Sequence, residues 1–176
     1  MPAENGKTES SLFVFMACDQ RLLSFEDALE DEEIKSYNEL LKMGFTDDQI
    51  QIRGIDLTKI DRDKKVFLIR LPDELHDSPL RIEEDFHNHY ARYLTEKRYI
   101  YKLEGAEIAV LHLAFYLGKY IGTMKELELW RVHEDDYTMD SSGIPETRVQ
   151  ARYFTTEILE AFFEGSLPNR LMVVQK

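Results

Sequence analysis

Four short apolar runs constrain this chain most: SLFVFMA (11–17), KVFLIRLP (65–72), EIAVLH (107–112) and ELELWRV (126–132). Unbroken runs of this length, rich in β-branched and aromatic residues, read as strands buried on both faces. Stretches with helical spacing lie between them. Ser24 is placed to cap a helix over 25–43, with Asp27 three residues on and Gly44 as its stop. Its acidic run EDEE (30–33) fits a solvated face. Ser78-Pro79 opens a second helix that ends near residue 98. LAFYLGKYIG (113–122) and TTEILEAFFEG (155–165) read as two more.

QIQIRGIDL (49–57) and TRVQARYF (147–154) alternate like half-exposed strands, and LMVV (171–174) fits a last edge strand. Strands alternating with helices predict an α/β fold: a Rossmann-like, mostly parallel sheet with helices on both faces. Residues 1–10 read as a flexible tail and 11–176 as a single domain. The loop 135–146, with Ser-Ser-Gly and Pro, is expected to be mobile.

The balance of 22 basic and 34 acidic residues, a net charge of −12, argues against binding long DNA or RNA, which depends on many phosphate contacts. It leaves room for a small anion in one basic pocket. No apolar run approaches the roughly 20 residues of a membrane span, and the start MPAENGKTESS lacks the apolar middle of a signal peptide. A cytoplasmic protein without membrane partners is expected. The sole cysteine, Cys18, rules out a disulfide framework.

In parallel sheets ligands bind beyond the C-terminal strand ends, here Ala17–Arg21, Arg70–Asp73, His112 and Arg131–Glu134. Arg131 and His133 are two apart, so on a strand they share a face. Lys119 and Lys125 precede them, and Arg21 and Arg70 close other strands. The candidate ligand-binding set is Cys18, Asp19, Gln20, His112, Lys119, Arg131 and His133. Cys18 with His112 as base also forms a possible nucleophile pair, although a lone cysteine is more often a small buried hydrophobe. His87 and His89 point apart on a helix, and no HExxH or Cys/His cluster is present, so no metal site or cofactor is expected. P-loop, GxGxxG and GxSxG motifs are absent as well.

The segments "LHLAFYLGKYIG" and "ELELWRVHEDDY" resemble one part of SAVED domains, relatives of the CARF sensors of prokaryotic antiphage defence. The shared features are Leu113, Leu117 and Gly118 in a helix that packs on the sheet, and Trp130, Arg131, His133 and Asp135 at a strand end. The resemblance implies a Rossmann-like sensor subunit that binds a cyclic oligonucleotide. It would work with an effector on a separate chain or as a homo-oligomer. Two other readings stand beside it. One is a metal-independent ring nuclease, with His112 or His133 assisting attack of a 2′-hydroxyl on the adjacent phosphate. The other is an acidic module that binds a basic protein through the helix 25–43.

Overall fold

The computed structural model describes residues 12–42, 46–47, 50, 56–85, 91–133 and 143–175. The tail, most of the strand proposed at 49–57, His87, His89 and most of the loop 135–146 lie outside them. The elements are β1 (Leu12–Cys18), α1 (Phe25–Glu30), β2 (Glu33–Ser36), α2 (Tyr37–Lys42), β3 (Lys65–Ile69), β4 (Arg81–Glu84), α3 (Ala91–Leu94), β5 (Tyr99–Glu104), α4 (Val110–Ile121), β6 (Glu126–His133), β7 (Glu146–Gln150), α5 (Thr156–Phe163) and β8 (Arg170–Val174).

The main sheet runs β4-β5-β1-β6-β8-β7. It is α/β as expected, but mostly antiparallel: every neighbouring pair is antiparallel except β7 with β8. The alternation of strand and helix misleads for a specific reason. β5, α4 and β6 form a strand–helix–strand unit whose two strands run in the same direction. They are not neighbours, because β1 lies between them, antiparallel to both. Among the described residues only β7-α5-β8 is a strand–helix–strand unit with adjacent parallel strands. LMVV therefore lies inside the sheet, between β6 and β7, and not at its edge.

Three other expectations are corrected. EIAVLH is not a strand; it is a turn followed by the start of α4. The buried residues Ala106, Ala109, Leu113, Tyr116, Leu117, Tyr120 and Ile121 follow one helical period through it. KVFLIRL does form β3, but β3 pairs with β2 in a separate two-stranded ribbon. That ribbon has its own small core of Tyr37, Leu40, Ile50 and Phe67. The stretches 25–43 and 78–98 are each broken by a strand, β2 and β4. Ser24 does cap α1, accepting the Asp27 N–H at 3.1 Å, but the helix stops at Asp31, whose backbone turns extended. The Lys119 ammonium holds it there, donating to the Asp31 carbonyl at 3.2 Å and also bonding its carboxylate.

The core lies on both sides of the sheet. Val14, Met16 and Cys18 of β1, with Leu129 and Leu171, pack under α1, α4 and α5. The opposite face buries Phe15, Ala17, Ile100, Trp130 and Val132 against Ala91 and Leu94. Trp130 is fully buried. It stacks on Phe15 at 5.8 Å, lies under the Arg170 guanidinium at 4.7 Å, and donates its indole N–H to Glu128 at 2.8 Å. Arg170 also bonds Glu128 at 3.1 Å and Glu146 at 2.9 Å.

Candidate functional site

The antiparallel pairing separates the residues expected to form one crevice. Cys18 lies opposite Leu127, whereas Arg131 lies opposite Val14 and His133 opposite Leu12. At about 3.3 Å per residue, the strand ends carrying Cys18 and His133 are roughly 20 Å apart. In a parallel sheet they would have shared an edge.

Most of these side chains have structural partners. The Cys18 thiol is fully buried and donates to the Gln20 carbonyl at 3.0 Å. Burial pushes its pKa from 9.0 up to about 11, so it is a neutral thiol at pH 7 and a poor nucleophile. Asp19 accepts from Lys97 at 3.1 Å and from the Arg98 N–H at 3.2 Å, and Lys97 also reaches Glu126 at 2.7 Å. The carboxylate thus ties the turn after β1 to the start of β5. His112 projects from the first turn of α4 and shares a 2.7 Å hydrogen bond with the Ser78 hydroxyl. That hydroxyl also accepts the Leu80 N–H at 3.1 Å and belongs to a buried residue. The pair anchors α4 and presents no serine to a ligand. Gln20 and His133 are exposed at opposite ends of β1.

Arg131 points into the protein. It donates to the Phe163 carbonyl at 2.7 Å and to Asn169 at 3.0 Å, and lies over the Phe162 ring at 5.3 Å. Burial lowers its pKa, yet a guanidinium stays charged at any physiological pH. It staples α5 to the segment leading into β8. Arg131→Ala should therefore lower the unfolding free energy by about 1.5–3 kcal/mol, the range for hydrogen bonds to a charged group. Urea denaturation followed by the fluorescence of Trp130 measures this. A loss under about 0.5 kcal/mol would argue for an anion-binding role instead.

The thiol makes a second prediction. Between pH 9 and 11 the unfolded chain releases the Cys18 proton while the folded chain retains it. Folding stability must therefore fall as pH rises through that interval, by about 2–3 kcal/mol from this group. Chemical denaturation at pH 8 and pH 11 should show a loss smaller by that amount in Cys18→Ser. Equal losses in both proteins would place the thiol in contact with water.

The structure gathers a different set of residues. An open groove of about 910 Å³ runs along the outward face of α4. Leu111, Ala114, Phe115 and Gly118 form its floor, spaced by three and four residues along one helix face. One wall is the end of β3 with the segment after it, Leu68 to Pro72, and the other is Ala151 to Thr156 before and in α5. Lys42, Arg70, Lys119 and Arg152 line it, and no aspartate, glutamate, histidine or cysteine does so among the described residues. No protein family, characterised protein or solved structure matches this chain. The groove must therefore be read from its own chemistry.

Two of its four cations have acidic neighbours. Arg70 sits 3.4 Å from Asp73 and 3.9 Å from Glu32, and Lys119 bonds Asp31. Arg152 donates to the Gln150 side chain at 3.0 Å. Neither it nor Lys42 has a carboxylate within ion-pairing distance among the described residues. Leu68, Leu111 and Phe115 are exposed at 54%, 54% and 44%, so apolar surface faces water between positive charges. Of the expected ligand set only Lys119 lines the groove. Arg70 stands out in the sequence as a strand-end cation; Lys42, Phe115, Arg152 and Phe154 do not.

A signal for the groove is present in α4. Leu111 and Phe115 are apolar positions outside the buried helical stripe. Leu111, with the exposed Ile108 of the preceding turn, makes EIAVLH read as buried all round, and hence as a strand. Gly118 likewise does not pack on the sheet: a side chain there would point into open groove. Among the described residues no helix is long and apolar enough to cross a membrane, and no group of histidine, cysteine and carboxylate side chains is arranged to hold a metal ion.

Proposed function

We propose that this chain is a non-enzymatic sensor subunit that binds a cyclic oligonucleotide in the α4 groove. Its occupancy would be read by an effector on a separate chain or by a second copy, in the cytoplasmic defence signalling that the resemblance to SAVED and CARF domains implies. The observation that carries this reading is the groove lining: Lys42 and Arg152, which have no carboxylate within ion-pairing distance among the described residues, with Arg70 and the exposed ring of Phe115, in a chain of net charge −12. Cations that follow phosphates and an exposed ring on which a base can stack are the two elements of sequence-tolerant single-strand recognition. The volume falls within the usual range of small-molecule sites, roughly 300–1,000 Å³.

Incubation with cyclic di-, tri- and tetranucleotides, followed by mass analysis of bound and free ligand, tests the reading. Intact ligand should be retained and should raise the melting temperature. Arg152→Ala should weaken binding about ten- to a hundredfold, the value of one charge-assisted phosphate contact. Arg148→Ala, on β7 and outside the groove lining, should not. Linear product would mean a ring nuclease, and no binding by any member would remove the ligand class.

A further inference from the structure

Gly118 lies within α4, a position where glycine is less favourable than alanine. Glycine is usually kept in a helix for a backbone angle other residues avoid or for a close approach by a neighbour. Neither applies here. The residue is helical, and a Cβ built on it meets nothing within 4 Å. Gly105 is the contrast, with φ of +70° and the Pro79 carbonyl oxygen only 2.6 Å from where its Cβ would be. The space above Gly118 belongs to the groove. The exposed side chains of Leu111 and Phe115 flank it on the same helix face, and Arg70 and Arg152 stand on the two walls.

We infer that Gly118 is the specificity-determining position of this groove, leaving bare helix backbone against which a flat aromatic anion lies face-on. The planar body covers the Ala114–Gly118 backbone and the Phe115 ring, and the anionic groups reach Arg70 and Arg152. Charge selects the class of ligand: an acidic, aromatic molecule is attracted to these cations, and a basic one is repelled. A branched or bulky aliphatic anion cannot approach the backbone as closely and loses contact area. This rests on the groove as the site proposed above and says how a nucleobase would be seated in it, but it does not depend on the ligand's being cyclic.

Two probes separate the claims: 1-anilinonaphthalene-8-sulfonate, a flat aromatic sulfonate, and the cyclic nucleotide panel. They are titrated into wild type, Gly118→Ala and Gly118→Leu. Gly118→Ala should melt about 2–4 °C higher than wild type, the return of the helix-interior penalty in a chain of this size. Gly118→Leu should stay folded by circular dichroism and bind both probes at least about tenfold more weakly. Arg152→Ala should weaken both as well. Sulfonate binding that depends on Gly118, with no cyclic nucleotide bound, would uphold the slot and remove the cyclic oligonucleotide reading. Nucleotide binding equal in wild type and Gly118→Leu would do the reverse. Failure of wild type to bind either probe would overturn both.

Discussion

Trp130→Ala should lower the unfolding free energy by about 3–5 kcal/mol, the range for truncating a large buried aromatic. The ring is fully buried, sandwiched between Phe15 and the Arg170 guanidinium. Its removal leaves a cavity in the smaller of the sheet's two cores, which has few side chains with which to refill it. It also takes the indole N–H from Glu128, a buried carboxylate that would then depend on Arg170. Trp130→Phe separates these contributions. It retains most of the volume and loses the donor, so it should be destabilised by about 1–3 kcal/mol. Guanidinium denaturation followed by circular dichroism is the measurement, because the only tryptophan is the residue removed. Equal losses for the two variants would mean that the hydrogen bond to Glu128 outweighs the packing.

Gly105→Ala should be nearly as severe, at about 3 kcal/mol. A φ of +70° is a left-handed conformation that costs a residue with a Cβ roughly 1–2 kcal/mol. The added methyl would also stand 2.6 Å from the Pro79 oxygen and 3.0 Å from its carbonyl carbon. Those are backbone atoms and cannot rotate away. The corner has little freedom to yield, since the Gly105 carbonyl accepts the Ala109 N–H at 3.0 Å and the residues on either side of Pro79 are fixed. Ser78 bonds His112, and the Leu80 side chain is fully buried. The measurement is the denaturant midpoint at constant slope; a loss under about 1 kcal/mol would show that the β5–α4 corner relaxes cheaply.

Much of the element pattern is legible in the sequence, and the topology is not. β1, β6, α5 and β8 follow from apolar runs and helical spacing, because most apolar residues of each are buried, with Leu12 and Phe13 of β1 as exposed exceptions. β5 is hidden: Lys102 and Glu104 interrupt its apolar pattern on the face it shows to water. β4 reads as the start of a helix because Ser78-Pro79 suits a first helical turn equally well. Strand direction is set by which strand inserts between β5 and β6, a long-range fact without a local signature. The candidate site fails with the direction. Arg131 and His133 share a strand face as expected, but the neighbouring strand end that should have completed their crevice lies at the other end of β1. The groove residues are hidden differently. Lys42, Arg70, Lys119 and Arg152 are far apart in sequence, and only packing of the ribbon and α5 against α4 brings them together.

The position of β1 also governs when the protein can fold. β1 is an interior strand of the sheet that is made well before its partners, and Phe15 pairs with Lys102 and Trp130. At translation rates of roughly 5–20 residues per second, β1 waits about 6–23 s for the second of these partners. Until β5 emerges Phe15, Met16 and their neighbours form an unpaired apolar segment, and until β6 emerges one edge of β1 stays open, which is the kind of sequence chaperones and other nascent chains capture. Nucleation by local contacts cannot shorten the wait, because the pairings that define the sheet centre are the most distant in sequence and loop closure must precede them. The chain therefore commits to its fold late, when β6 emerges and encloses a strand made more than a hundred residues earlier.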